Sequence, residues 1–135
     1  MLETDVAYLA GLFDGEGHIE LQFDKTHFGN VRINIANTHL ETIEWIQENW
    51  GGNISRLKGR NNPVFYIRWN SSKAKDILIQ LVPYLHIKKM QAEFTIELMD
   101  MLVKYKRRTQ YTQDELFCID ELVYAIDRDK HGSSS

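Results

Sequence analysis

Apolar residues recur along the chain with two different periods, and the places where the period changes mark out the elements. Val6, Leu9, Ala10, Leu12 and Phe13 follow helical spacing, predicting a first helix that Thr4 or Asp5 can cap and that Gly15 and Gly17 stop. Ile19, Leu21 and Phe23 then alternate with His18, Glu20, Gln22 and Asp24, and Val31, Ile33 and Ile35 alternate with Arg32 and Asn34. Each run predicts a strand with one apolar and one polar face, and the short link between them makes a hairpin or neighbouring strands. Thr38, His39, Leu40 and Glu41 have the form of a capping box, with Leu40, Ile43, Ile46 and Trp50 at helical spacing before Gly51 and Gly52.

A second strand pair, 54–58 and 64–70, flanks the turn Gly59, Arg60, Asn61, Asn62 and Pro63. Ser71 or Ser72 can cap a short helix through Ile77, Leu78, Leu81 and Val82 that ends near Pro83, and another helix runs from about Lys88 to Tyr105. Thr112 and Glu115 form a further capping box, opening a helix with Leu116, Ile119, Leu122, Val123 and Ile126 inward. The order α-β-β-α-β-β-α-α-α predicts an α+β domain of two layers, a four-stranded antiparallel sheet with helices on one face and its polar face free.

The 135 residues make one domain, expected over 1–130 with a tail at 131–135, and any site that needs two copies of an element has to recruit a second chain. The single cysteine, Cys118, excludes an internal disulfide framework and reads as a buried, inert thiol. Acidic residues near the start and the lack of a long apolar stretch predict an intracellular protein, neither secreted nor bound to a membrane. The five histidines have no zinc spacing. A net charge of −3 hides a strong local separation. Residues 53–75 hold Arg56, Lys58, Arg60, Arg68, Lys73 and Lys75 without one acid, whereas 111–131 are mostly acidic.

A free polar sheet face with a basic run suits duplex DNA, because an antiparallel ribbon enters the major groove and presents every second side chain to the base edges. By alternation the candidates are His18, Glu20, Gln22, Arg32, Asn34, Arg56, Lys58, Tyr66, Arg68 and Asn70, with Arg60 in the turn between the last two strands.

The sharpest signal is Leu9-Ala10-Gly11-Leu12-Phe13-Asp14-Gly15-Glu16-Gly17. It resembles the nine-residue signature of the LAGLIDADG homing endonucleases, with Phe13, Gly15 and Glu16 in place of isoleucine, alanine and the second aspartate. The resemblance extends along the α-β-β-α-β-β-α order. It returns at Leu81-Val82-Pro83-Tyr84-Leu85-His86-Ile87-Lys88-Lys89-Met90-Gln91, similar to the segment that leads to the family's active-site lysine.

The residues themselves argue for that chemistry. Ala7, Ala10 and Gly11 form a strip small enough for two copies of the helix to pack closely on a two-fold axis. Such packing brings two Glu16 carboxylates together at helix C-terminal ends, where only divalent cations make the arrangement stable. Carboxylate and carbonyl oxygens suit Mg2+, with Mn2+ as a substitute. Asp14 reads as structural, bonding to backbone near the helix end. The resemblance further implies the Gly15 carbonyl as a metal ligand, Lys88 as the catalytic lysine with Lys89 as the other register, and a polar residue at Ala36 or Asn37.

The expected protein is therefore a homodimeric, magnesium-dependent endonuclease with no small-molecule cofactor, cutting both strands of duplex DNA at a near-palindromic site. Its rivals are a plain structural domain and a splicing cofactor or DNA-binding regulator on the same fold that does not cut.

Overall fold

The computed structural model describes residues 2–23, 28–57, 62–104 and 112–132, and within them every expected element is found. The order is α1 (Glu3–Glu16), β1 (Gly17–Phe23), β2 (Phe28–Asn37), α2 (Leu40–Trp50), β3 (Asn53–Leu57), β4 (Val64–Asn70), α3 (Ser71–Leu81), a 3-10 turn at Val82–Tyr84, α4 (Lys89–Lys104) and α5 (Gln113–Gly132). The last helix runs past the boundary expected at residue 130.

The four strands form one antiparallel sheet in the order β1-β2-β4-β3. Ile19, Val31, Ile33, Ile35, Ile67 and Trp69 are buried on one face, packed with Leu9, Ala10 and Phe13 of α1, Ile43 and Ile46 of α2, and Ala74, Ile77, Leu78 and Leu81 of α3. Among the described residues the other face of the strands has no helix packed on it, in keeping with their period-two burial. Ile119 and Ile126 of α5 join the core as expected, but Leu116 at the start of that helix is exposed, and so is Cys118, whose thiol faces away from the core rather than being buried as expected. α5 packs on α4, where the buried Gln91 Nε2 donates to the Ile126 carbonyl at 3.3 Å.

The N-terminal caps of the helices differ from expectation in three places and agree in one. α1 begins at Glu3 with Leu2 as its cap, so Thr4 and Asp5 lie inside the first turn, where Glu3 and Asp5 face the positive end of the helix dipole. α2 is capped by His39, whose Nδ1 accepts the Thr42 N–H at 3.3 Å, rather than by Thr38 with Glu41. α3 has no side-chain cap: Ser71 enters it at φ 53° and its hydroxyl donates to Asn30 Oδ1 at 2.7 Å. At α5 the capping box forms, with Thr112 N–H on Glu115 Oε1 at 2.8 Å and Glu115 N–H on Thr112 Oγ1 at 3.1 Å.

Candidate active site and nucleic-acid interface

Gly17 turns α1 directly into the edge strand β1, so the last side chains of the helix emerge at the end of the sheet. A Cβ at Gly17 would collide with the Phe13 ring and come within 2.6 Å of the Phe13 carbonyl oxygen, which explains a glycine there without any demand on φ. The segment 85–88 straps across the same helix end. Asp14, nearly buried, accepts the His86 N–H at 2.8 Å on Oδ2 and the Lys88 N–H at 3.0 Å on Oδ1, the backbone role expected for it.

Lys88 itself lies one residue before α4, and its Nζ donates to the Asp14 carbonyl oxygen at 2.8 Å. Burial pushes its pKa below the ordinary lysine value, and the negative charges of Asp14 and Glu16 partly oppose that shift. Gly15 and Glu16 are exposed at this end of α1. The structure thus brings together an exposed carboxylate, a half-buried lysine and the carbonyls of a helix terminus. Lys89, the other register, is exposed.

The strip expected to pair two helices is rearranged. Ala10 is fully buried in the protomer's own core and cannot meet a second chain. Ala7 is half-buried, while Thr4, Tyr8, Gly11 and Gly15 make the exposed stripe. A Cβ added at Gly11 or Gly15 would meet no atom of the described residues within 4 Å. Gly15 stands four residues beyond Gly11, and that spacing was the signal that could have placed it in the strip.

On the sheet, the register settles which side chains share the open face. His18 pairs with Asn34, Asn34 with Arg68 and Arg68 with Asn53; Glu20 pairs with Arg32 and Arg32 with Asn70; Ala36 pairs with Tyr66 and Tyr66 with Ser55. His18 and Asn70 are exposed, Glu20, Arg32, Tyr66 and Arg68 half-buried, and Asn34 only 3% exposed. Arg56 pairs with Phe65, so it lies on the helix side of the sheet, although it is exposed on the edge strand β3. Gln22 pairs with Asn30 through its backbone, and its side chain lies outside what is described, as do Lys58 and Arg60 altogether. Asn53 and Ser55 were not foreseen on this face, and their register opposite Arg68 and Tyr66 puts them there.

Glu20 is the hub of a polar cluster. Its Oε1 accepts Asn34 Nδ2 at 3.0 Å, its Oε2 lies 3.8 Å from Arg32 Nη1, and Arg32 Nε donates to Asn70 Oδ1 at 3.2 Å. Asn37 at the end of β2 accepts the His39 N–H on its Oδ1 at 2.8 Å, while Ala36 offers no polar group. Among the described residues no three His, Cys, Asp or Glu side chains are gathered closely enough to hold a metal ion, and no helix is long and apolar enough to cross a membrane.

In fold the chain is similar to the homing endonuclease I-CvuI in complex with its target in the presence of calcium, with TM-score 0.69 and 20% identity over 95% of this chain and 81% of that one. It is similar as well to the archaeal intron-encoded homing endonuclease I-Vdi141I complexed with DNA, with TM-score 0.72 and 21% identity over 94% and 84% of the two chains. The homing endonuclease I-TnaI aligns with TM-score 0.61 and 16% identity over 93% of each chain. No curated protein sequence matches the chain. The model of the LAGLIDADG endonuclease family matches residues 9–105, which run from the first residue of the nine-residue signature, through the whole sheet, to beyond Lys88. By that match the chain belongs to the LAGLIDADG endonuclease family.

Proposed function

We propose that the protein is a homodimeric, site-specific DNA endonuclease that cuts both strands of a near-palindromic duplex with a divalent cation, Mg2+ or in its place Mn2+. The observation that carries this reading is the surface of α1: two glycines with open space above them, Gly11 and Gly15, leading to an exposed Glu16 beside Lys88. A glycine inside a helix costs about 1 kcal/mol relative to alanine. Among the described residues nothing uses the room that Gly11 and Gly15 leave, and a second copy of α1 would take that space.

One carboxylate per chain is too few ligands for Mg2+, which takes a few carboxylates together with substrate phosphates. Two paired helices supply two Glu16 side chains and two Gly15 carbonyls, a set of hard oxygen donors that suits the ion. When bound, the cation would activate water and stabilise the leaving oxygen in phosphodiester hydrolysis. Lys88 holds a proton close to the Asp14 carbonyl and supplies positive charge for the scissile phosphate. The open sheet face lies against the major groove, with Arg68, Arg32, Tyr66, His18 and Asn70 towards the bases or backbone. I-CvuI and I-Vdi141I, whose folds this chain shares, have each been described on DNA.

The test is incubation with a plasmid carrying the insertion sequence of the intron or intein from which the gene comes, in Mg2+ and separately in Ca2+. Linear product in Mg2+ is the expected outcome. Tight binding without cutting in either ion would favour the second reading, a splicing cofactor or regulator on this fold. The chemistry at the end of β2 speaks for that reading, since Ala36 has no polar group and the Asn37 side-chain oxygen is taken by the His39 N–H.

A further inference from the structure

Two polar atoms on the open sheet face are buried without a hydrogen-bond partner among the described residues, Asn34 Oδ1 and Arg68 Nε. They belong to residues paired across β2 and β4. Such cross-strand neighbours have Cβ atoms about 5 Å apart. One orphan is an acceptor and the other a donor, and leaving each unsatisfied in a buried place costs free energy. Asn34 cannot exchange its two amide atoms to remedy this, because its Nδ2 is committed to the Glu20 carboxylate at 3.0 Å, which only accepts. The Arg68 guanidinium also has no acid beside it among the described residues, whereas Arg32 is already held by Glu20 and Asn70.

We propose that Arg68 reads one guanine in each DNA half-site and that Glu20 and Asn34 position it, in a relay from the Glu20 carboxylate through the Asn34 amide to Arg68 Nε. The inference rests on the DNA-cutting reading above. A small rotation of the guanidinium lets its Nε–H donate to Asn34 Oδ1, which removes both orphans at once and fixes the plane of the fork. The two Nη groups then point away from the sheet as parallel donors, the arrangement that matches O6 and N7 of guanine. Asn34, only 3% exposed, does not reach a base. It and Glu20 are positioning residues, and Arg68 is the reader.

Selection of bound duplexes from a pool with randomised half-sites, carried out with the full chain in calcium, tests the relay. The wild type is expected to select a guanine at one position per half-site, and Arg68→Ala to lose that preference by about tenfold or more. Asn34→Leu is expected to lose it at the same position and keep the preferences elsewhere. Glu20→Gln combined with Asn34→Asp exchanges donor and acceptor along the relay and is expected to restore the guanine. Should Asn34→Leu not fold, Glu20→Ala, at a half-exposed site, removes the anchor instead and relaxes the same position. Losses at different positions for Arg68→Ala and the Asn34 or Glu20 variants overturn the relay. So does an equal weakening on every sequence for Arg68→Ala, which would assign it to a phosphate. If no duplex is enriched at all, the DNA-cutting reading itself fails.

Discussion

Glu16 and Lys88 stand at the same end of α1 in opposite surroundings, the carboxylate in water and the amine half-buried over a helix carbonyl. Glu16→Gln keeps the shape and removes the charge that a cation needs. Cleavage is expected to disappear while DNA affinity stays within about twofold, since an exposed side chain has little to contribute to the fold; gel-shift and cleavage assays on one preparation check both. Lys88 gives a pH signature. Burial lowers its pKa, so it gives up its proton at a lower pH than a free lysine, and cleavage is expected to fall on the alkaline side before the ordinary lysine range is reached. Lys88→Arg stays charged and moves that limb to higher pH, whatever it does to the maximal rate. For stability the sign follows from the same shift: between the lowered folded value and the ordinary unfolded one the unfolded chain binds more protons, so stability rises with pH in that window. An alkaline limb identical in the wild type and Lys88→Arg would remove the lysine from the reaction.

At the scale of elements, the pattern of apolar positions predicted every helix and strand, and failures occurred where a parity or a face was ambiguous. In β3, Ile54 and Leu57 are apolar at opposite parities, so alternation by itself could not say which neighbours face outward; the register with β4 decides, and it turns Arg56 towards the helix side. In α1 the small residues Ala7, Ala10, Gly11 and Gly15 encircle more than one face. The spacing from Gly11 could have placed Gly15 in the open stripe, but only packing reveals that Ala10 belongs to the core. Capping boxes were legible when the glutamate could reach back, as Glu115 does to Thr112, and not when a histidine took the position, as His39 does. Thr112→Ala is expected to cost about 1 kcal/mol and to show in thermal unfolding. A Cβ at Gly11 meets no atom of the described residues within 4 Å, so Gly11→Leu should leave the protomer folded, yet it fills the space that a second α1 would occupy. The expected result is a folded monomer in sedimentation with cleavage lost. An intact dimer would show that α1 is not the interface.

The whole molecule separates charge by element: of the basic run 53–75, Arg56 lies on β3, Arg68 on β4 and Lys73 and Lys75 on α3, while the acidic α5 is stacked on α4. Association with DNA then depends on orientation rather than on the total of −3. Among the described residues only a few cations are available to phosphates on the open face, because Arg32 is neutralised by Glu20 and Arg56 lies on the other side. Each protomer alone should hold a half-site weakly, and two protomers joined along α1 should gain the second half-site without new contacts. A duplex with both half-sites in two-fold arrangement is therefore expected to bind far more tightly than one with a single half-site beside unrelated sequence. Inserting five base pairs between the halves, about half a helical turn, should abolish that advantage by turning the second half away from its sheet. Fluorescence anisotropy on the three duplexes measures it. The symmetric duplex should also have the steepest decline with salt, because twice as many phosphates are neutralised. Equal affinity for all three would mean that one chain binds alone, and the pairing of α1 helices would then have no part in recognition.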